Sequence, residues 1–217
     1  DGDLITGYVA DTEHDEAQFV ADEIDALADV GRHKYSDVAV FYRTNSQSRA
    51  LEEVFIRTGM PYRVVGGVRF YERREVRDAI AYLRAIVNPA DDVSVRRILN
   101  VPKRGIGDRA VAAITSLQAA ERITFYEALQ LSDEAPGLAT RSQKQIQGFV
   151  DMIESHREQV EQAKPANDVL LSVLEASGYV AELQKSTDPQ DETRLENLEE
   201  LVSVAAEFVA SANAVDL

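Results

Sequence analysis

The first 65 residues alternate between short apolar runs and amphipathic segments. Residues 4–9, 37–42 and 62–65 are rich in β-branched and aromatic residues, which predicts three β-strands. Between them, apolar residues recur every three or four positions over two stretches, as in helices that cover a sheet. Thr12 is placed to cap the first helix, and Gly31 and Gly59 are placed to end the two helices. This order predicts a parallel α/β unit over residues 1–74.

The pattern changes beyond Gly66 and Gly67. Strand-like runs disappear, and nearly every later segment has helical spacing. Asn88-Pro89 is expected to end a helix, because proline disfavours helical geometry in its predecessor. Thr124 and Glu127 have the spacing of a capping box. We therefore expect an α/β domain over residues 1–74, followed by an all-α domain over residues 75–217.

The turn Gly105-Ile106-Gly107 lies between two amphipathic segments, which predicts a helix-hairpin-helix. Both glycines permit positive φ and leave the main-chain amides accessible, while Ile106 is expected to fill the joint between the helices. The next helix should begin at about Asp108, with Asp108 as its N-cap. Its free amides and positive dipole end then form an anion site at the turn.

Three cations surround this turn. A Gly-x-Gly turn alone is more often a structural corner, but the added positive charge favours contact with phosphate. Because phosphate is alike at every step of a nucleic acid, binding without sequence preference is predicted. The predicted duplex-backbone contacts are Lys103, Arg104, Gly105, Ile106, Gly107 and Arg109.

Charge is distributed unevenly along the chain. The net charge of −15 argues against a nucleic-acid partner at first sight. Residues 61–110, however, contain 11 Lys and Arg against 6 Asp and Glu, a net +5, and the remaining residues carry −20. Screening limits exposed charges to a range of about 10 Å at ordinary salt, so a local basic patch can hold phosphate. A solvated helix face that carries arginines is the alternative interpretation.

The sequence lacks the residues that several classes of function require. There are no cysteines, and the three histidines are far apart, so we expect no disulfide and no metal site. No Gly-x-x-x-x-Gly-Lys-Ser/Thr loop and no catalytic constellation occurs. No apolar run approaches the roughly 20 residues that span a bilayer. We expect a soluble, cytoplasmic protein without catalytic residues, which makes a nucleotide hydrolase the weakest hypothesis.

A second polar segment follows the predicted strand at residues 37–42. Ligands bind at the carboxyl ends of strands in open α/β sheets. The donors there suit phosphate or a neighbouring domain, although a polar loop with a helix cap explains the same residues. The candidate residues are Arg43, Thr44, Asn45 and Arg49.

Five segments in this order resemble one family. They are Tyr-Arg-Thr-Asn-Ser-Gln-Ser-Arg, Val-Val-Gly-Gly-Val-Arg-Phe-Tyr-Glu-Arg-Arg-Glu-Val, Ala-Tyr-Leu-Arg, Asn-Val-Pro-Lys-Arg-Gly-Ile-Gly and Arg-Leu-Glu-Asn-Leu-Glu-Glu-Leu. Together they resemble the UvrD/PcrA/Rep branch of superfamily 1 helicases. The resemblance implies that residues 1–74 are the first part of the second RecA-like motor domain (2A). It implies that residues 75–217 belong to the inserted accessory domain (2B), truncated at its C-terminal end.

The resemblance also implies roles and partners. The parent would be an ATP-dependent 3′–5′ DNA helicase that uses ATP and Mg²⁺, with neither bound by this piece alone. Its partners would be single-stranded DNA, the duplex junction, the missing ATP-binding motor domain and repair proteins. The segment around Arg43 and Asn45 would lie on the single-strand path, and Phe70, Tyr71, Arg73 and Arg74 would lie near a hinge. The alternative function is a protein-interaction or self-inhibitory module of the same motor.

Overall fold

The computed structural model describes residues 4–31, 33–44, 47–65 and 69–215, with side chains described up to residue 210. The chain divides into two compact units, Asp1–Arg73 and Arg74–Leu217. The division lies next to the boundary that the change of pattern predicts after residue 74.

The first unit is built around two helices. These are α1 (Glu13–Asp29) and α2 (Ser48–Thr58), accompanied by 3-10 helices at Tyr35–Asp37 and Phe70–Glu72. Apolar side chains on one face of each helix pack together, and burial of that area stabilises the pair. The core consists of Ala17, Ala21, Ile24, Ala50, Val54, Phe55 and Met60.

The predicted ends of these helices are confirmed. The Thr12 hydroxyl accepts a hydrogen bond from the Asp15 amide at 3.1 Å, which caps α1. Gly59 follows α2 with φ of 73°, a conformation in which a side chain would be strained. Local chemistry therefore sets where α1 begins and where α2 ends.

The three segments predicted as strands have almost no regular secondary structure, and Asp37 at the start of the second belongs to the 3-10 helix Tyr35–Asp37. Within the described residues of the first unit no β-strand is formed, because a strand needs a neighbour to satisfy its N–H and C=O groups. Apolar side chains in these segments remain exposed, with Ile5 at 100%, Val9 at 95% and Phe41 at 90%. The α/β unit expected for residues 1–74 is not seen as a sheet here, and it stays a prediction.

The second unit is helical throughout its described residues, with a 3-10 helix at Ser132–Glu134. Helix α3 packs against α4, α7, α8 and α10, and its residues Val76, Tyr82 and Ile86 are buried. No helix in the described part of the chain is long and apolar enough to cross a membrane. The helices are α3 (Arg74–Val87), α4 (Asp92–Ile98), α5 (Asp108–Glu121), α6 (Phe125–Gln130), α7 (Thr140–Glu161), α8 (Ala166–Ala176), α9 (Tyr179–Lys185) and α10 (Pro189–Val215).

Candidate nucleic-acid interface

Residues 99–107, called the hairpin turn from here on, connect α4 to α5. Ile106 in this turn is 2% exposed, while Gly105 and Gly107 on either side of it are exposed. Ala110 and Ile114 on α5 are buried as well. The buried isoleucine therefore fixes the turn to the body of the second unit and leaves the two glycines at the surface.

Main-chain amides of the turn fall into two groups. The amides of Arg104 and Ile106 donate to Oδ1 of Asn100 at 2.7 and 3.4 Å. Among the residues that the structure describes, the amides of Gly105, Gly107, Asp108 and Arg109 have no acceptor. These last four residues are exposed, so their amide donors are available to a bound anion.

Asp108 does not cap α5. The helix begins at Asp108, and its N-cap is Gly107, which has no side chain to accept from the helix amides. The expectation that Asp108 is the N-cap is therefore wrong. This favours anion binding, because the amides of Asp108 and Arg109 have no acceptor among the described residues. The exposed Asp108 carboxylate has the opposite effect, since it repels phosphate at short range.

Two of the three predicted cations are exposed. Lys103 and Arg109 are both at the surface, and neither has an ion pair within the described residues. Their charges are therefore available to phosphate. Together with the four amides they form what we call the phosphate-facing side of the hairpin turn.

Arg104 points into the second unit instead. Its Nη1 donates to the carbonyl oxygens of Ile98 at 2.9 Å and Val101 at 3.2 Å, and its Nη2 donates to the Tyr82 hydroxyl at 2.6 Å. Its guanidinium carbon also lies 5.4 Å from the centroid of the Phe149 ring. These contacts occupy the guanidinium, so the expectation that Arg104 contacts the duplex backbone is revised.

A pocket of about 340 Å³ opens beside the hairpin turn in the second unit. Its lining includes Lys103 together with two arginines that already have carboxylate partners. Arg194 pairs with Asp191, and Arg74 lies 3.7 Å from Asp78. The mixed charge does not indicate a second phosphate site. Within the described residues, Lys103 is the cation of this lining that forms no ion pair.

The structure places Arg49 away from solvent. Its side chain is 2% exposed and forms ion pairs with Glu13 and Glu53, the latter at 3.1 Å. A guanidinium enclosed by two carboxylates has no surface to offer to a strand. The expectation that Arg49 contacts single-stranded DNA is corrected by this geometry.

The other members of that segment lie in a local turn. Arg43 is exposed, and the amides of Arg43 and Thr44 donate to Oε1 of Gln47 at 2.9 and 3.1 Å. Asn45 lies outside the described residues. Sequence analysis missed the role of Gln47, because a glutamine at such a position has no distinctive spacing.

Residues of the predicted hinge are attached to α2. Phe70 is fully buried, and its amide lies 3.4 Å from both carboxylate oxygens of Glu52. Nη2 of Arg73 donates to the Ser48 hydroxyl at 2.9 Å. Tyr71 is bound to the same helix by a 2.9 Å hydrogen bond from its hydroxyl to Glu53. Arg74, with a side chain 71% exposed, begins α3, so a hinge would lie at the end of this segment.

Known protein families and curated relatives resemble almost the whole of this chain. The UvrD-like helicase C-terminal domain family matches residues 1–216, so the chain belongs to this family. It is similar to ATP-dependent DNA helicase UvrD1 of Mycobacterium tuberculosis (strain ATCC 25618 / H37Rv), with 56% identity over 209 residues covering 95% of this chain and 27% of the relative. ATP-dependent DNA helicase PcrA of Leuconostoc citreum is 40% identical over 207 residues, covering 95% and 28%. The chain spans a little over a quarter of the length of these relatives.

Proposed function

We propose that this chain is the DNA-contacting piece of an ATP-dependent 3′–5′ DNA helicase, and that it holds the duplex backbone through the hairpin turn. The observation that carries the proposal is the set of exposed, unoccupied amides at Gly105, Gly107, Asp108 and Arg109. Amides at a helix N-terminus are suited to phosphate oxygens, and they do not read bases.

Family membership supports the helicase part of the proposal. Relatives that share most of this chain's length are named ATP-dependent DNA helicases. We propose that residues 1–73 and 74–217 correspond to the beginning of motor domain 2A and to accessory domain 2B. We assign ATP and Mg²⁺ binding to parts of the parent outside this chain, because the sequence contains no triphosphate loop.

The exposed apolar segments of the first unit support the proposed 2A identity. Leu4, Ile5 and Val9 are each at least 95% exposed, although their composition is that of a buried strand. We propose that residues 4–9 and 38–42 pair into a parallel sheet when the remainder of the motor domain covers them. Arg43 would then lie at the carboxyl edge of that sheet, where single-stranded DNA is proposed to pass.

Charge reversal at the hairpin turn tests the proposed interface. The double variant Lys103→Glu, Arg109→Glu should lose most binding to a duplex with a single-stranded tail, as measured by fluorescence anisotropy with the 217-residue chain. Both side chains are exposed and without ion pairs among the described residues, so the fold should survive the change. The salt dependence gives a second readout, with a slope of roughly −2 to −4 in log K against log salt for two to four phosphates.

A matched control separates local contact from overall charge. Arg122 and Lys164 are also exposed, at the far end of α5 and just beyond α7. Arg122 is about 20 Å from Arg109 along α5, at 1.5 Å per residue. The variant Arg122→Glu, Lys164→Glu changes the net charge equally and should bind like the wild type. Equal losses in the two double variants would reject the hairpin turn as the interface.

A further inference from the structure

We propose that Arg104 is a positioning residue, which holds the hairpin turn in its DNA-binding shape from inside the second unit. The inference deepens the proposed function and rests on it. The side chain that sequence reasoning places on phosphate would instead act through the main chain, by fixing where the amides of Gly105 and Gly107 point. Arg104 would then never touch DNA.

Main-chain carbonyl oxygens surround one end of the Arg104 guanidinium. Nη1 of Arg104 lies within hydrogen-bonding distance of four carbonyl oxygens, which belong to the end of α4 and the first part of the hairpin turn. Since Nη1 has two hydrogens, these bonds are shared between acceptors. The Ile98 carbonyl at the end of α4 also accepts from the Val101 amide at 3.1 Å, so Arg104 adds a side-chain donor to a helix end that the backbone already caps in part. The acceptors are Ile98 at 2.9 Å, Leu99 at 3.2 Å, Val101 at 3.2 Å and Pro102 at 3.4 Å.

Tyr82 connects this cluster to α3. Its side chain is fully buried, and its hydroxyl donates to the Val101 carbonyl at 2.5 Å while accepting from Nη2 of Arg104 at 2.6 Å. Burial raises the pKa of Tyr82 above its ordinary value, although the Arg104 charge acts in the opposite direction. The hydroxyl therefore keeps its proton at neutral pH and remains a donor to Val101.

The backbone of Arg104 belongs to the same arrangement. Its amide donates to Oδ1 of Asn100 at 2.7 Å, and the Ile106 amide approaches the same oxygen at 3.4 Å. The turn is thus held on one side by the Asn100 side chain and on the other by the Arg104 side chain. Gly105 lies between these two fixed amides with φ of 77°, and its own amide has no acceptor among the residues that the structure describes.

Lysine is unable to replace arginine in this arrangement. The guanidinium is planar and has five donors in a fixed fork, so it reaches carbonyls and the Tyr82 hydroxyl at once while facing Phe149. An ammonium group has a single nitrogen and a tetrahedral set of donors. A phosphate contact, by contrast, depends mainly on charge and tolerates lysine. If Arg104 positions the turn, Arg104→Lys should weaken DNA binding. If Arg104 contacts phosphate, Arg104→Lys should leave binding unchanged.

The experiment compares Arg104→Lys, Arg104→Gln and Tyr82→Phe in the 217-residue chain. Duplex affinity is measured by anisotropy, and the amide resonances of residues 105–109 are followed by NMR without DNA. We expect both Arg104 variants to weaken binding about tenfold, the scale of a hydrogen bond to a charged group. Tyr82→Phe should weaken it by about threefold to tenfold, although it removes no charge and the residue is buried. The free-protein amide resonances of Gly105 and Gly107 should shift in all three variants.

Tyr126→Phe is the matched control. Tyr126 is a buried tyrosine of the same unit, 2% exposed, whose hydroxyl donates to Glu154 at 2.8 Å. Its loss should affect thermal stability about as much as Tyr82→Phe, and it should leave duplex affinity and the amides of residues 105–109 unchanged. Equal loss of affinity in Tyr126→Phe would overturn the positioning role, because it would trace the effect to general destabilisation.

Two further outcomes are decisive. Arg104→Lys with wild-type affinity and unchanged amide resonances would overturn the proposal and restore a charge contact. If the wild-type chain does not bind the duplex, the proposed function fails, and the amide resonances alone decide the role of Arg104. Shifted resonances of Gly105 and Gly107 in Arg104→Lys would then still support positioning.

Discussion

At the scale of single residues, the hairpin turn combines a buried side chain with exposed main chain. Ile106 is 2% exposed and anchors the turn, whereas Gly105 and Gly107 expose their amides. An apolar anchor of this kind holds the amides in place without a side chain that competes for them. Stability and binding therefore depend on different atoms of adjacent residues, and substitutions should separate them.

Shortening the anchor should destabilise the second unit. Ile106→Ala removes buried methyl groups and leaves a cavity, which typically costs about 2–5 kcal/mol in the free energy of unfolding. Denaturant unfolding followed by circular dichroism measures this loss. A free energy within about 0.5 kcal/mol of the wild type would show that Ile106 is not packed as described.

Removing single charges should change the salt dependence of DNA binding. Lys103→Gln and Arg109→Gln each delete one exposed cation, and each should reduce the magnitude of the salt slope by about one. Affinity should fall to a similar extent for all duplex sequences, because phosphate contacts carry no base information. Anisotropy titrations at several salt concentrations and on two unrelated duplexes provide the measurement. An unchanged slope in either variant would remove that residue from the interface.

At the scale of elements, backbone geometry distinguishes the two glycines of the turn. Gly105 has φ of 77°, whereas Gly107 has φ of −86°, which any residue adopts. A Cβ at either position meets nothing within 4 Å, so the surroundings accept both substitutions. The two alanine variants therefore compare backbone strain at Gly105 with the loss of the N-cap glycine at Gly107.

Gly105→Ala should destabilise the chain by about 1–2 kcal/mol, the penalty of a left-handed conformation for a residue with Cβ. Gly107→Ala is the comparison variant; it places alanine at the N-cap of α5, where glycine is preferred, and it should cost less, about 0.5 kcal/mol. Thermal unfolding of the two variants measures the difference. Equal stability of the two would contradict the assigned conformation of Gly105.

Helix caps in the second unit give a dependence on pH. Hydrogen bonds from Ser94 lower the pKa of Asp91 below 3.8, and those from Thr124 lower the pKa of Glu127 below 4.5. A lowered pKa in the folded state adds stability above the ordinary value, and this stability is lost as pH falls through the folded value. Asp91→Asn and Glu127→Gln remove the titrating groups. The stability difference between wild type and the double variant should shrink between about pH 6 and pH 3 in urea unfolding. A constant difference would contradict the assigned pKa shifts.

Helix ends were largely predictable, because their signals are local. The Thr124–Glu127 capping box and the end of α3 before Asn88-Pro89 are confirmed. The start of α10 at Pro189 is less evident from the sequence, because proline and its polar neighbours also occur in loops. Proline is tolerated in the first turn of a helix, where its missing amide is not needed, so this residue did not distinguish a loop from a helix start.

The direction of charged side chains was not predictable. Arg104 and Arg49 were placed on DNA because of their charge, yet both guanidinium groups are occupied within their own units. One partner of each lies far away in sequence, Tyr82 for Arg104 and Glu13 for Arg49, and the sequence pattern gives no sign of it. Sequence spacing shows that a cation is present, but the packing of distant elements determines which way it points.

At the scale of the whole molecule, the first unit exposes side chains typical of a sheet interior. Ile5, Val9 and Phe41 are at least 90% exposed, in segments that form no strand among the described residues. Unpaired extended backbone with apolar side chains is prone to associate with other chains. The parent enzyme is proposed to cover this surface, so the 217-residue chain should behave differently from its parent.

The 217-residue chain should self-associate as its concentration rises. Light scattering coupled to size exclusion should show a mass that increases with loading. The variant Ile5→Ser, Val9→Ser, Phe41→Ser should remain monomeric, because it removes apolar area without touching the buried core. A monomeric wild type across the range would contradict the role given to these segments.

The central claim is that the phosphate-facing side of the hairpin turn binds DNA. An NMR titration of the ¹⁵N-labelled chain with a short duplex tests it most directly, because each amide reports separately. The account predicts that the amides of Gly105, Gly107, Asp108 and Arg109 shift first and furthest, and that added salt reverses the shifts. Shifts confined to other residues, with these four amides unmoved at saturation, would contradict it.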